Sequence, residues 1–162
     1  MTKQIRKGLA IHCHHGMLIE YCYDSGGRIE TIKWEKPQNE IEIRLRLFQI
    51  LPDEAIKDLS PGLIRAYAQV EEAYDKWHMA DTEWQMADAE LEASAERDTA
   101  YAQLDKADAK LEGAYAKAKK ANVEWGIAYA AWGQKDKDTF HKKWCGCKEW
   151  RNNHINFSKK GG

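Results

Sequence analysis

Two short runs concentrate the residue types that bind metals. His12-Cys13-His14-His15 lies near one end of the chain and Cys145-Gly146-Cys147 near the other. Thiolate and imidazole are the ligands that zinc takes in tetrahedral sites, and soft thiolates favour it over oxygen-seeking cations. Side chains alternate along an extended strand, so His12 and His14 share one face and Cys13 and His15 the other. Cys145 and Cys147 likewise share a face. The spacing predicts a site in which Cys145 and Cys147 meet either Cys13 with His15 or His12 with His14. Zinc is the candidate ion, and His12, Cys13, His14, His15, Cys145 and Cys147 are the candidate ligands. Cys-x-Cys is a less specific signal than a Cys-x-x-Cys knuckle, and the competing reading is that the thiols are small buried hydrophobes. Cys22 stands several rungs from Cys13 if the strands pair around Gly16, and reads as such a core residue.

The elements that must position these groups are short. Residues 8–24 predict two strands, rich in Ile, Leu, Tyr and Cys and broken at Gly16. Ser25-Gly26-Gly27 predicts a turn, and residues 28–36 a short helix ending at Pro37. Residues 40–48 carry two patterns at once. Ile41, Ile43, Leu45 and Leu47 alternate as in a strand, while Ile41, Leu45 and Phe48 line one helical face. Gln49-Ile50-Leu51 extends that face and tips the reading to helix. Pro52-Asp53-Glu54 opens a helical turn. At the other end, residues 135–143 read as a charged connector. Residues 144–157 read as two short strands around Arg151-Asn152-Asn153, followed by a loose tail.

Between these ends runs a seven-residue repeat. Small residues recur at Ala66, Ala73, Ala80, Ala87 and Ser94, with Val70, Trp77, Trp84 and Leu91 four behind. The pattern slips by one residue and resumes at Ala100, Ala107, Ala114, Ala121 and Ala128, with Leu104, Leu111, Ala118, Trp125 and Trp132 four behind. Ser60-Pro61 supplies an N-cap hydroxyl and a proline at the first helical position. Apolar heptads call for helix against helix. One unbroken helix would be about 105 Å long and would need a partner chain. Folding back at 94–99 instead gives arms of similar length. Pairing position i with about 196 − i sets Trp77 near Ala118, Trp84 near Ala114 and Trp125 near Ala73, large against small. It also sets Lys117, Lys119 and Lys120 beside the acidic stretch from Asp75 to Asp81. Tyr101, Tyr115 and Tyr129 are expected to flank the seam with their hydroxyls in water.

The predicted fold is therefore α+β and mostly α: a long antiparallel, coiled-coil-like helical hairpin on a small α/β base domain built from both termini. Residues 1–60 supply the N-terminal part of the base, 61–134 the hairpin and 135–162 the C-terminal strands completing the base. The rival architecture is an oligomeric coiled coil, such as a phage structural or scaffolding part. Net charge is −1, unevenly spread. Residues 63–98 hold ten acidic and three basic side chains, and residues 135–162 three acidic and eight basic. The acidic arm would repel phosphate, which argues against a nucleic-acid partner. No stretch approaches the ~20 apolar residues of a membrane span, and the basic start lacks the apolar run of a signal peptide. The expectation is a cytoplasmic protein whose four cysteines are thiols or metal ligands.

The end segments GLAIHCHHGMLIEYCYD, EIRLRLF and HKKWCGCKEW resemble those of a group of prokaryotic and phage proteins. These keep similar ends around a repetitive Ala/Trp/Tyr/Asp middle of varying length. The resemblance implies that the ends form one unit and that the middle can lengthen or shorten; it carries over no catalytic or binding residue. No phosphate-cradling glycine loop or nucleophile elbow is present. The leading functional expectation is a non-enzymatic binding or structural module, in which a Cys/His base presents the arm to a protein partner. The alternative is a small metal-dependent hydrolase with Glu20 or Asp24 as base. A Cys–His nucleophile, Cys13 with His15 or Cys147 with His154, is the least supported option, since nothing in the sequence fixes its geometry.

Overall fold

A computed structural model describes residues 6–14 and 16–157. The fold is α+β and mostly α, with two long packed helices forming a hairpin and a small sheet-containing part. Two compact units are present: one from both ends of the sequence, up to Ile64 and from Ala130 onward, the other Arg65–Tyr129.

The first unit is organised around strand β1 (Gly8–Ile11), which is buried along its whole length. It lies between β2 (Ile19–Cys22) and β3 (Gln49–Ile50), both antiparallel to it. Gly8 pairs with Cys22 and Ile11 with Ile19, so Gly16 falls in the connection, as expected. Helix α1 (Ser25–Glu35) begins earlier than the sequence suggested. Asp24 caps it by accepting from the Gly27 amide at 2.9 Å. A Cβ on residue 27 would lie 2.6 Å from the Asp24 carboxylate, so any larger residue there would make the capping side chain shift. Helix α2 (Gln38–Leu47) resolves the ambiguous segment in favour of helix. Arg44, buried, reaches back one turn to Glu40 at 2.7 Å and stacks over Phe157 at 4.5 Å. Ile41 and Leu45 pack onto the cluster of Ala10, Cys13, Cys22, Ile32 and Phe48. A 3₁₀ helix (Asp53–Asp58) follows.

The expected charged connector is instead part of helix α5 (Gln134–Trp144). Its apolar residues explain why: Phe140 and Trp144 sit one turn apart, and Phe140 packs edge-on against Trp132 at 5.5 Å. Asp136 in the first turn and His141, Lys142 and Lys143 in the last match the helix dipole. Asp58 anchors the helix by accepting from Lys143 at 2.5 Å and from the Trp144 indole at 2.8 Å. The C-terminal strands do form, as β4 (Trp150–Arg151) and β5 (His154–Ile155). They make a two-stranded sheet of their own rather than joining the N-terminal one. Asn152 and Asn153, at φ of 53° and 62°, form the two-residue turn that this twist favours. With β3 already along one edge of β1 and β2 along the other, no edge of β1 remains for them.

The second unit holds the paired stretches of α3 (Pro61–Ala93) and α4 (Arg97–Ala131). Ser94–Glu96 joins the helices without glycine or proline, and the Ser94 hydroxyl accepts from the Glu96 amide at 3.0 Å. Ser60 caps α3 through the Leu63 amide at 3.3 Å. Ala66, Val70, Ala73 and Ala80 are buried on α3, and Ala100, Ala114, Ala118, Ala121 and Trp125 on α4. Across the pair, Asn122 donates to the Tyr74 hydroxyl at 2.8 Å, on the expected register. Lys110 pairs with Glu83, about one turn from that register. Tyr101 and Tyr115 are exposed, whereas Tyr129 is buried, against expectation. Among the described residues, no helix is long and apolar enough to cross a membrane.

Candidate metal centre

The site begins with one left-handed residue. His12 follows β1 with φ at 56°, and its amide donates to the Leu18 carbonyl at 2.9 Å. Continued alternation would have put His12 on the face of Ala10 and Cys13 on the face of Leu9 and Ile11. The kink reverses this. Cys13 packs with Ala10 and Cys22, and His12 turns to the C-terminal segment. A side chain in this backbone region costs roughly 1–3 kcal/mol and marks a position held by its surroundings. Those surroundings are aromatic: the His12 ring lies 5.5 Å from His141 and 5.3 Å from Trp150.

The other half of the site is local. The amides of Cys145 and Gly146 both donate to the His141 carbonyl, at 2.9 and 2.7 Å. Gly146 takes φ +63°, and a Cβ there would sit 3.4 Å from the Lys142 carbonyl. The end of α5 thus folds back on itself and aims Cys145 and Cys147 at the helix's own His141. Gln49 holds the Trp144 carbonyl at 3.3 Å, and Arg46 pairs with Glu149 at 2.5 Å, tying this loop to the N-terminal part.

His12, His141, Cys145 and Cys147 each bring a ligand atom to within 4.8 Å of all the others. The two Nε2 atoms lie 3.4 and 3.3 Å from the Cys147 sulfur. Zinc–sulfur bonds of about 2.3 Å and zinc–nitrogen bonds of about 2.0–2.1 Å give tetrahedral N···S edges of roughly 3.6 Å. The observed separations are close to that. A hydrogen-bond account would have the Cys147 thiol donate to one imidazole and accept from the other, and sulfur is weak in both roles. Both histidines are buried. His12 Nδ1 is also buried, with no hydrogen-bond partner among the described residues. The Cys145 thiol is lowered to about 6, first by its hydrogen bond with Cys147 and against the opposing effect of burial. A thiol this acidic is readily available as a thiolate ligand. Two sulfurs and two nitrogens fit a metal of the zinc class.

Of the six expected ligands, His12, Cys145 and Cys147 come together, with His141 as the fourth member of the cluster. Cys13 and His14 lie in a separate group with Glu20. His15 falls outside the described residues. Cys22 does not stand apart as expected: its thiol hydrogen-bonds that of Cys13. Within the pair Cys13 is pushed up, by that bond first and by burial second, while the same bond lowers Cys22. His154 turns to the Asn152 carbonyl at 3.1 Å and is not part of the cluster. His141 could have been found in the sequence, since His-x-x-x-Cys-x-Cys puts histidine one helical turn before the first thiol. Reading 135–143 as a connector concealed it.

No protein-family model, curated protein or solved structure matches the chain.

Proposed function

We propose that the protein is a non-enzymatic binding module. A zinc ion held by His12, His141, Cys145 and Cys147 would fasten the two ends of the chain into a base, and the helical hairpin would serve as the arm that meets a protein partner. The observation that carries this reading is the cluster itself: four soft ligand atoms mutually within 4.8 Å, drawn from both ends of the sequence. Four protein ligands complete a tetrahedron and leave zinc no position for substrate, which favours a structural ion over a catalytic one. The arm offers an extended surface, and its acidic first half suits a basic protein face.

Zinc bound to the purified chain should be displaced only by strong chelators. Cys147→Ser, which removes the sulfur shared by both histidines, should weaken it at least a hundredfold. Retention of full affinity by both Cys147→Ser and His141→Ala would sink the assignment. For the arm, photo-crosslinkers at exposed sites such as Glu90 and Tyr101 should capture one recurring protein in the native host, whereas crosslinks confined to residues of the base would count against it.

A further inference from the structure

The kink at His12 creates a second group of ligands on the other side of β1. Cys13, His14 and Glu20 bring sulfur, nitrogen and oxygen to within 4.8 Å of one another. The His14 Nδ1 and Glu20 carboxylate are in direct contact. Cys13 is buried, and its carbonyl is held by the Arg28 guanidinium. All three ligands come from β2 and the connection that leads into it from β1, so this group needs nothing from the C-terminal segment.

We propose that Cys13, His14 and Glu20 form a second, solvent-accessible site for a divalent d-block cation. Coordination releases the Cys13 proton to water. One thiolate and one carboxylate then balance the two positive charges of the ion, and the imidazole binds neutral. Soft sulfur beside nitrogen and oxygen selects zinc, cobalt or nickel rather than magnesium or calcium. Cys22 packs in the same buried cluster as Cys13, beside the ligand sulfur. The His14 side chain is 54% exposed. With three protein ligands and that opening to solvent, at least one coordination position is left to water or a small anion. A plain His–Glu surface pair would explain two of the three groups. It would not explain the third, the buried Cys13 sulfur within 4.8 Å of both.

The reading is independent of the four-ligand centre and is tested apart from it. In the full chain carrying Cys145→Ser and Cys147→Ser, cobalt(II) titration should still show one equivalent bound, with a sulfur-to-metal charge-transfer band. Adding His14→Ala or Glu20→Gln, both at solvent-reaching positions, should weaken that binding tenfold or more. No cobalt bound by the double-serine chain, or binding indifferent to both further substitutions, would overturn the proposal. The unmodified chain loaded with cadmium-113 covers the case in which the double variant fails to fold. It should give two resonances, of which His14→Ala removes one, while a single resonance overturns the second site.

Discussion

At Gly146 a single hydrogen atom decides whether Cys145 and Cys147 can face His141. An L side chain at φ +63° is disfavoured by roughly 1–2 kcal/mol, and here its Cβ would also press on the Lys142 carbonyl at 3.4 Å. The loop can relieve both only by moving the sulfurs. Gly146→Ala should therefore weaken zinc about tenfold, the equivalent of ~1.4 kcal/mol, in competition against a chromophoric chelator. Gly62→Ala is the control. A Cβ there meets only the Ser60 hydroxyl, at 4.0 Å, and zinc affinity should be unchanged. At the same scale the chemistry of the centre was partly legible. The types and positions of His12, Cys145 and Cys147 stood out in the sequence, but their partners followed from a kink that strand alternation does not foresee. His12 carries no glycine-like signal for a left-handed conformation. Strand alternation offers Cys13 with His15, or His14 with His12, to Cys145 and Cys147, whereas the backbone groups Cys13 and His14 with Glu20.

Among the elements, the long helices were the most legible, because a seam of small residues, nine alanines and Ser94, repeats its signal ten times over. The slip at 94–99 marks the turn even though no glycine or proline punctuates it, since a one-residue shift in a heptad moves the apolar stripe by about 100° and ends the packing on that face. Helix α5 was missed for the opposite reason: its apolar content is Phe140 and Trp144 among charges, too few for periodicity to show. The seam also makes a quantitative claim. Ala80 is 1% exposed, and the small residues Gly113 and Ala114 lie across from it on the opposing helix. Ala80→Leu should destabilise the arm by about 1–3 kcal/mol through overpacking, read by denaturant unfolding followed by helical circular dichroism. Ala102→Leu, on the exposed face of α4, should change it by less than about 0.5 kcal/mol. Equal effects at the two positions would mean that Ala80 is not in a packed seam.

For the whole molecule, a metal held by His12, His141, Cys145 and Cys147 would couple two segments that lie at opposite ends of the sequence. A closed loop running from His12 to His141 is long, and bringing its ends together costs entropy that grows with the logarithm of its length. The hairpin turns the sequence back on itself, and a metal bound by the cluster would tie the same two ends. An ion that binds only the folded base stabilises it by RT ln(1 + [L]/Kd), or ~1.4 kcal/mol for each tenfold rise in free zinc above Kd. For a base of this size, that corresponds to about 5–10 °C in melting temperature per decade of zinc. Near-ultraviolet circular dichroism should report the base transition, because Trp150 lies against both ligand histidines. Metal-buffered melts should rise along that slope for the native chain and run flat for Cys147→Ser. A native chain whose base melts at one temperature across several decades of free zinc would show that its ends are joined by packing alone.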